Sequence, residues 1–255
     1  SVMSSSGPST SASAPAAGAL EPGVVSDLTW YLPEADKERT AAATADLGSR
    51  WTRLNVQWAE AEPQRGSLDE WWIDEYEDAI DRSRAAGQKV ILMIYNAPGW
   101  ASGSPVRNTP RDPADLADFA GRLADRFRGR VAGYEIWNEP NLRRFWDRGP
   151  DPGEYADLLR AAYSAIKGAD PLAEVVFGGL SGNDYRFLEG AYQAGAKGFF
   201  DVLATHPYPY CGSNGPRQIR RSDDGRITPD SFLGYRELRA SMRAQDDAMP
   251  ICVTE

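Results

Sequence analysis

The amino-acid sequence predicts an α/β fold, a (β/α)8 TIM barrel whose eighth strand is absent from the chain. From residue 24 onward, short apolar runs alternate with amphipathic stretches, and no antiparallel hairpin signal separates them. This is the pattern of parallel strands joined by helices. Polar and aromatic residues also gather where the predicted strands end, as they do at the carboxyl-terminal face of a barrel. A chain of 255 residues is long enough for one such domain.

Seven strands are predicted. The third, Lys89–Tyr95, is an almost continuous apolar run, which is typical of a strand buried on both faces. The set spans residues 24–31, 51–56, 89–95, 131–137, 174–177, 201–205 and 250–254. Seven strands would leave an open seam in a barrel. We therefore expect either that the chain continues beyond Glu255 or that another segment fills the gap.

Helices are predicted between consecutive strands. One of them places Leu116, Phe119, Leu123 and Phe127 on a single face by their spacing. The set spans residues 36–47, 69–86, 113–127, 153–167, 185–194 and 231–243. An open doubly wound sheet is the rival fold, but it predicts a glycine-rich phosphate turn after the first strand. The sequence at that point is LPEADKER, so the barrel is favoured.

The beginning of the chain differs in composition from the rest. Residues 1–22 are rich in Ser, Ala and Pro and nearly free of charge, which predicts a flexible tether followed by a barrel domain over 23–255. A tether of this kind often follows a removed export signal, although no signal peptide is visible. We expect a secreted or cell-envelope protein.

Net charge, hydropathy and cysteine content exclude several classes of partner and of site. The net charge of −9 argues against nucleic acid, which binds to basic surfaces. No apolar stretch is long enough for a membrane helix. Two cysteines, Cys211 and Cys252, make neither a disulfide framework nor a zinc site. A single bridge between them is left open, because strand phasing predicts that Cys252 points outward, toward the helices.

Two glutamates end predicted buried strands. Glu139 follows the fourth strand in YEIWNEPN (134–141), and Glu255 ends the seventh in PICVTE (250–255). Cleavage of a glycosidic bond requires two carboxyl groups, one protonated and one ionised, on either side of the anomeric carbon. Each motif also has a plain interpretation, because Asn and Pro favour turns and any surface strand can end in Glu. Their common position at strand ends favours the catalytic interpretation.

Trp137-Asn138-Glu139-Pro140 resembles the acid/base motif of the large clan of retaining glycoside hydrolases with a barrel fold. Other stretches extend the resemblance over about residues 24–255: WTRLNVQW (51–58), Glu62-Pro63, Trp71, YNAPGW (95–100) and HPY (206–208). Within the clan the sequence is most similar to glycoside hydrolase family 39, with families 5 and 51 next. The resemblance implies a retaining glycosidase that acts on a carbohydrate, with Glu139 as acid/base and Glu255 as nucleophile. It implies no metal or organic cofactor.

Four polar residues are expected around this pair. Arg53 lies in an otherwise apolar strand, so it needs a carboxylate partner, and the resemblance favours Glu255. His206 is the only histidine and is expected to hydrogen-bond the substrate or a catalytic carboxylate. Asn138 is expected to bind the sugar 2-hydroxyl. The resemblance also implies that Tyr208 donates a hydrogen bond to Glu255.

Three tryptophans, Trp58, Trp100 and Trp146, follow strands two, three and four and are expected to stack on sugar rings. The competing interpretation places them in the core. Two other functions remain open: a barrel that binds carbohydrate without catalysis, and a transglycosylase that uses the same residues. The sequence leaves the sugar, the anomer, endo or exo action and the oligomeric state undetermined.

Overall fold

One sheet of seven parallel strands, hydrogen-bonded in the order of the chain, forms the centre of the molecule. The structure, a computed structural model, describes residues 20–26, 28–29, 32–105, 109–209 and 215–255. The strands are β1 (Gly23–Val25), β2 (Trp51–Gln57), β3 (Lys89–Tyr95), β4 (Gly133–Ile136), β5 (Glu174–Ser181), β6 (Val202–His206) and β7 (Ile251–Val253). The predicted barrel-type order of seven parallel strands is confirmed. The predicted tether lies almost entirely outside the described residues, as does Cys211.

Helices connect the strands and pack on one face of the sheet. They are α1 (Glu34–Asp46), α2 (Trp58–Ala61), α3 (Glu70–Ala85), α4 (Gly99–Ser102), α5 (Pro113–Arg126), α6 (Pro152–Ala169), α7 (Tyr185–Gln193) and α8 (Tyr235–Ala244). Asp69, Asp112 and Asp151 are the N-cap residues of α3, α5 and α6, and each side chain accepts at least one backbone N–H bond that the first turn would otherwise leave unpaired. No helix in these ranges is both long and apolar enough to cross a membrane.

The sheet is strongly curled. Neighbouring strands lie about 4.8 Å apart, so β2 and β7 would be separated by roughly 24 Å in a flat sheet. Arg53 on β2 nevertheless contacts Glu255, just after β7, at 2.7 Å. The concave face therefore brings the ends of β2, β4, β6 and β7 together. The main apolar core lies on the opposite, convex face, between the sheet and the helices, and includes Leu54 and Val56 of β2.

The concave face carries a smaller apolar cluster as well as the polar side chains. Val176, Val202 and Ala204 are buried there, with Cys252 packed against them. Val176 pairs in register with Glu135 of β4, so the cluster shares its face with that carboxylate. The predicted outward orientation of Cys252 is therefore wrong. The thiol lies in the barrel interior, where burial raises its pKa to about 11.

The ends of two strands differ from the prediction by more than two residues. β1 ends at Val25 rather than at residue 31, although residues 27, 30 and 31 lie outside the described part. β5 continues to Ser181 through Gly178 and Gly179, a pair that reads in the sequence as the end of a strand. The register of β5 against β6 shifts at this pair. The strand continues past the shift and runs alongside the end of β4.

Candidate active site

The end of β4 turns sharply to present Asn138 and Glu139. Trp137 and Glu139 have positive φ angles of 73° and 41°, a backbone region that costs a bulky side chain free energy and often marks a functional site. Two hydrogen bonds hold this turn: the Trp137 N–H donates to Ile94 O at 2.9 Å, and the Glu139 N–H donates to Gly179 O at 3.1 Å. The neighbouring strands thus fix the strained backbone under the acid/base candidate.

Gly178 and Gly179 allow this close packing because they lack side chains. A Cβ atom on Gly178 would lie 2.5 Å from Ile136 O, and one on Gly179 would lie 2.1 Å from His206 Nε2. Neither distance is tolerated by real atoms. The pair therefore admits the turn after β4 on one side and the imidazole of His206 on the other.

Glu255 is held by two donors, one on β2 and one in the segment just after β6. Arg53 Nη1 donates to its Oε1 at 2.7 Å, and Tyr208 Oη donates to its Oε2 at 3.0 Å. Burial and the charge of Glu255 raise the pKa of Tyr208 to about 12, so the phenol remains a donor at neutral pH. A cation and a phenol donor together hold the Glu255 carboxylate in a fixed orientation. The expected partnership of Arg53 and Tyr208 with Glu255 is present.

Arg53 has a second carboxylate partner, Glu135, that was not predicted from the sequence. Its Nε donates to Glu135 Oε2 at 2.7 Å, and its Nη2 donates to Glu135 Oε1 at 3.2 Å and to Asn138 Oδ1 at 2.9 Å. Burial alone would lower the pKa of Arg53, but the charges of Glu135 and Glu255 outweigh it and raise the pKa. The guanidinium thus links three side chains in a fixed geometry.

His206 lies between the two catalytic candidates. Its Nδ1 is 3.1 Å from Glu139 Oε1 and 3.6 Å from Glu255 Oε2. Its Nε2 is 3.1 Å from Thr254 Oγ1. The ring is fully buried, so both nitrogens depend on these partners. The expectation that His206 contacts a catalytic carboxylate agrees with this geometry.

The surroundings of Glu139 act on its pKa in opposite directions. Burial penalises the charged form, whereas a hydrogen bond from His206 and the positive charges of that ring and of Arg144 favour it. Together the attractive contributions outweigh burial, and the pKa of Glu139 is lowered. The hydrogen bond from His206 requires a proton on Nδ1, so this one contribution depends on which imidazole nitrogen carries the proton.

The two candidate carboxylates approach each other closely. Glu139, His206 and Glu255 each offer one ligand-type atom, and these atoms all lie within 4.8 Å of one another. Such spacing could also surround a cation. However, the imidazole nitrogens already face Glu139 and Thr254, and Glu255 is paired with Arg53. The protein's own donors thus satisfy these groups, and we assign no metal.

The structure corrects the predicted stacking of two tryptophans. Trp58 is 0% exposed, packs against Phe119 and donates from Nε1 to Glu62. Trp146 is 1% exposed and packs against Trp137. Buried rings present no face to a sugar, so these two predictions are wrong.

Trp100 is only partly buried, and the guanidinium of Arg65 lies 4.5 Å above its ring. Its proposed contact with substrate stays a prediction. The three tryptophans follow strand ends in the same way, and their sequence context did not distinguish the buried rings from the accessible one.

Glu135 and Thr254 also belong to the site, although neither was predicted from the sequence. Glu135 is fully buried in β4 and accepts from Arg53 and from the Gly179 N–H. A usable signal was present, because Glu135 is a charged residue within an apolar strand, just as Arg53 is. Thr254 carried no comparable signal, since threonine is common in strands.

The curled parallel sheet and the paired carboxylates at its carboxyl edge define a class of protein, the glycoside hydrolases built on a (β/α)-barrel. The family described as "Cellulase (glycosyl hydrolase family 5)" matches residues 11–213. The chain belongs to this family. The resemblance to the barrel clan drawn from the sequence is thereby confirmed.

Solved structures share the fold. A family 39 glycoside hydrolase from the gut symbiont Bacteroides cellulosilyticus WH2 is 21% identical, with a TM-score of 0.68 over 91% of this chain and 48% of its own. A monomeric beta-xylosidase from Caulobacter crescentus CB15 is 24% identical, with a TM-score of 0.64 over 90% and 50%. The GH39 enzyme from Xanthomonas axonopodis pv. citri is 22% identical, with a TM-score of 0.65 over 92% and 50%. The chain spans about half the length of each.

Proposed function

We propose that the protein is a retaining glycosidase that hydrolyses O-glycosidic bonds in a poly- or oligosaccharide by double displacement. The observation that supports this most directly is the approach of a Glu139 oxygen and a Glu255 oxygen to within 4.8 Å. Retaining enzymes place their carboxyl groups about 5–5.5 Å apart, whereas inverting enzymes need roughly 6.5–9.5 Å to admit a water molecule. The close approach favours direct attack by a carboxylate.

In the first step, Glu255 attacks the anomeric carbon while Glu139 donates a proton to the leaving oxygen. The glycosidic C–O bond breaks and a bond to a Glu255 oxygen forms. In the second step, Glu139 accepts a proton from water, which attacks the same carbon and releases Glu255. Asn138 would donate to the sugar 2-hydroxyl region, where interactions strengthen as positive charge develops on the ring. Arg53 holds Asn138 and Glu255 in place for this chemistry.

The roles of the two glutamates can be separated with substrates of different leaving-group quality. Glu255→Gln should abolish hydrolysis of every aryl glycoside in a panel, because no nucleophile remains. Glu139→Gln should lose about 10²–10⁴-fold on a poor leaving group but retain cleavage of an activated one, and added azide should restore turnover as a glycosyl azide. Glu174→Gln is the matched control, since Glu174 lies at the opposite end of β5.

The stereochemistry of the product tests the mechanism itself. Proton NMR at early reaction times should show the anomer of the substrate's configuration released first. Release of the opposite anomer would contradict double displacement. Efficient hydrolysis of an unactivated substrate by Glu139→Gln would contradict the role of Glu139. Binding of oligosaccharide without turnover would instead support a non-catalytic barrel.

A further inference from the structure

Glu135, Thr254, His206 and Glu139 form a hydrogen-bonded chain beneath the proposed active site. Thr254 Oγ1 lies 3.4 Å from Glu135 Oε1 and 3.1 Å from His206 Nε2. His206 Nδ1 in turn faces Glu139 Oε1 at 3.1 Å. Glu135 lies in β4, Glu139 in the turn after β4, His206 at the end of β6 and Thr254 just after β7. A chain of this kind has a direction, because each hydrogen bond needs one donor and one acceptor.

The charge of Glu135 sets that direction. The Thr254 hydroxyl has one proton and can give it either to Glu135 or to His206. Glu135 is ion-paired with Arg53, and an ionised carboxylate only accepts hydrogen bonds. A proton placed toward a charged acceptor is favoured over one placed toward a neutral ring nitrogen. Thr254 therefore donates to Glu135, and its oxygen is left to accept from His206 Nε2.

We propose that Glu135, acting through Thr254, is a positioning residue that keeps the proton of neutral His206 on Nε2 and leaves Nδ1 as an acceptor facing Glu139. This inference rests on the proposed function for its consequence, since an acceptor beside Glu139 favours the protonated carboxyl that the first step uses. Glu135 also holds Arg53 against Glu255. One buried carboxylate thus orients the partners of both catalytic groups.

Other charged and titratable groups also face the imidazole. Glu139 and Glu255 approach Nδ1, at 3.1 and 3.6 Å. The ring of Tyr208 lies 6.3 Å from the imidazole, centroid to centroid. The two carboxylates near Nδ1 favour a proton on that nitrogen. Glu135, acting through Thr254, favours a proton on Nε2, and it must outweigh the two carboxylates to set the tautomer.

Thr254 is the residue to change. Both oxygens of Glu135 face donors from Arg53 and Gly179, so Glu135→Gln would set an amide N–H against one of them and disturb folding. Thr254→Val keeps the shape of the side chain and removes only the hydroxyl. An N–H on Nε2 would then be buried without an acceptor, and the proton should move to Nδ1.

The proton on the ring can be located without any assay of activity. Because His206 is the only histidine in the chain, a ¹⁵N-histidine-labelled sample gives the nitrogen signals of a single imidazole. We expect protonated Nε2 and unprotonated Nδ1 in the wild type and in Thr254→Ser, and the reverse in Thr254→Val. Thr205→Val is the matched control, because its buried hydroxyl contacts Leu180 and Asn183 rather than the ring; its imidazole should match the wild type.

The kinetic consequence is a shift of the pH profile. A proton on Nδ1 stabilises ionised Glu139, so the basic limb of kcat/KM should move down by about one pH unit in Thr254→Val and stay in place in Thr254→Ser. A residue with a merely structural role would lower the amount of folded protein and leave the limb unmoved.

Two results would overturn the inference: Nδ1 protonated in the wild type, or an imidazole unchanged by Thr254→Val. If the wild type hydrolyses no glycoside, the proposed function fails, while the nitrogen signals still decide where the proton lies. The two failures are thereby distinguished.

Discussion

Replacing Gly179 with alanine would test how tightly the site is packed around His206. The added Cβ would lie 2.1 Å from Nε2 and 2.6 Å from Cδ2 of the imidazole. A comfortable contact needs about 3.5 Å, so the ring or the strand must move by roughly 1.4 Å. The His206 ring is fully buried, which leaves it little free space to enter. The displacement should break its hydrogen bonds to Glu139 and Thr254.

The expected magnitude follows from this displacement. Overpacking of a buried site costs about 1–3 kcal/mol of stability, and a misplacement of about 1 Å near the reacting groups can cost on the order of 100-fold in rate. We therefore expect kcat/KM of Gly179→Ala to fall about 100-fold on an aryl glycoside, with a reduced free energy of unfolding in urea. Both quantities should be measured on the same preparation, so that loss of folded protein is not mistaken for loss of chemistry.

Gly168→Ala is the matched control. Gly168 lies near the end of α6, where an added Cβ would meet no atom within 4 Å. Alanine is favoured over glycine within a helix by about 0.5–1 kcal/mol, so this variant should be slightly more stable and fully active. Wild-type kcat/KM in Gly179→Ala would refute the reasoning, because it would mean that the ring can move without consequence for the reaction.

Three further predictions address other parts of the site. Trp58→Ala should lower the free energy of unfolding by about 3–5 kcal/mol, as expected for a buried aromatic ring; a change in KM with unchanged stability would instead restore the sugar-stacking interpretation. Arg53→Lys should lower kcat/KM by at least about tenfold in steady-state assays, because one ammonium group cannot donate to Glu135, Asn138 and Glu255 together. Full activity would show that the planar guanidinium of Arg53 is dispensable. For Cys252, folding raises the thiol pKa from 9.0 to about 11. The contribution of this thiol to stability is therefore present below pH 9 and is lost as the pH rises through 11. Between pH 9 and pH 11 the urea midpoint of Cys252→Ala should fall less steeply than that of the wild type, and an equal fall in both proteins would contradict the raised pKa.

The candidate catalytic pair, Glu139 and Glu255, could be predicted from the sequence because its signals are local. The apolar run of β3 and the helical spacing of α5 predict their elements from neighbouring residues alone. Glu139 and Glu255 each follow such a run, and parallel strands bring their carboxyl ends to one edge. A buried charge must be compensated, which predicted a carboxylate partner for Arg53, and the family resemblance favoured Glu255 as that partner.

The sequence by itself thus determined the alternation of strands and helices and the edge at which the carboxylates meet. Only the tertiary structure decided which apolar side chains face the core, because Trp58 and an exposed stacking ring look alike along the chain. It also decided the partners of Glu135, which meets Thr254 across 119 residues of sequence. Contacts of that kind depend on the curl of the sheet and on the missing side chain of Gly179, and no periodicity in the sequence records them.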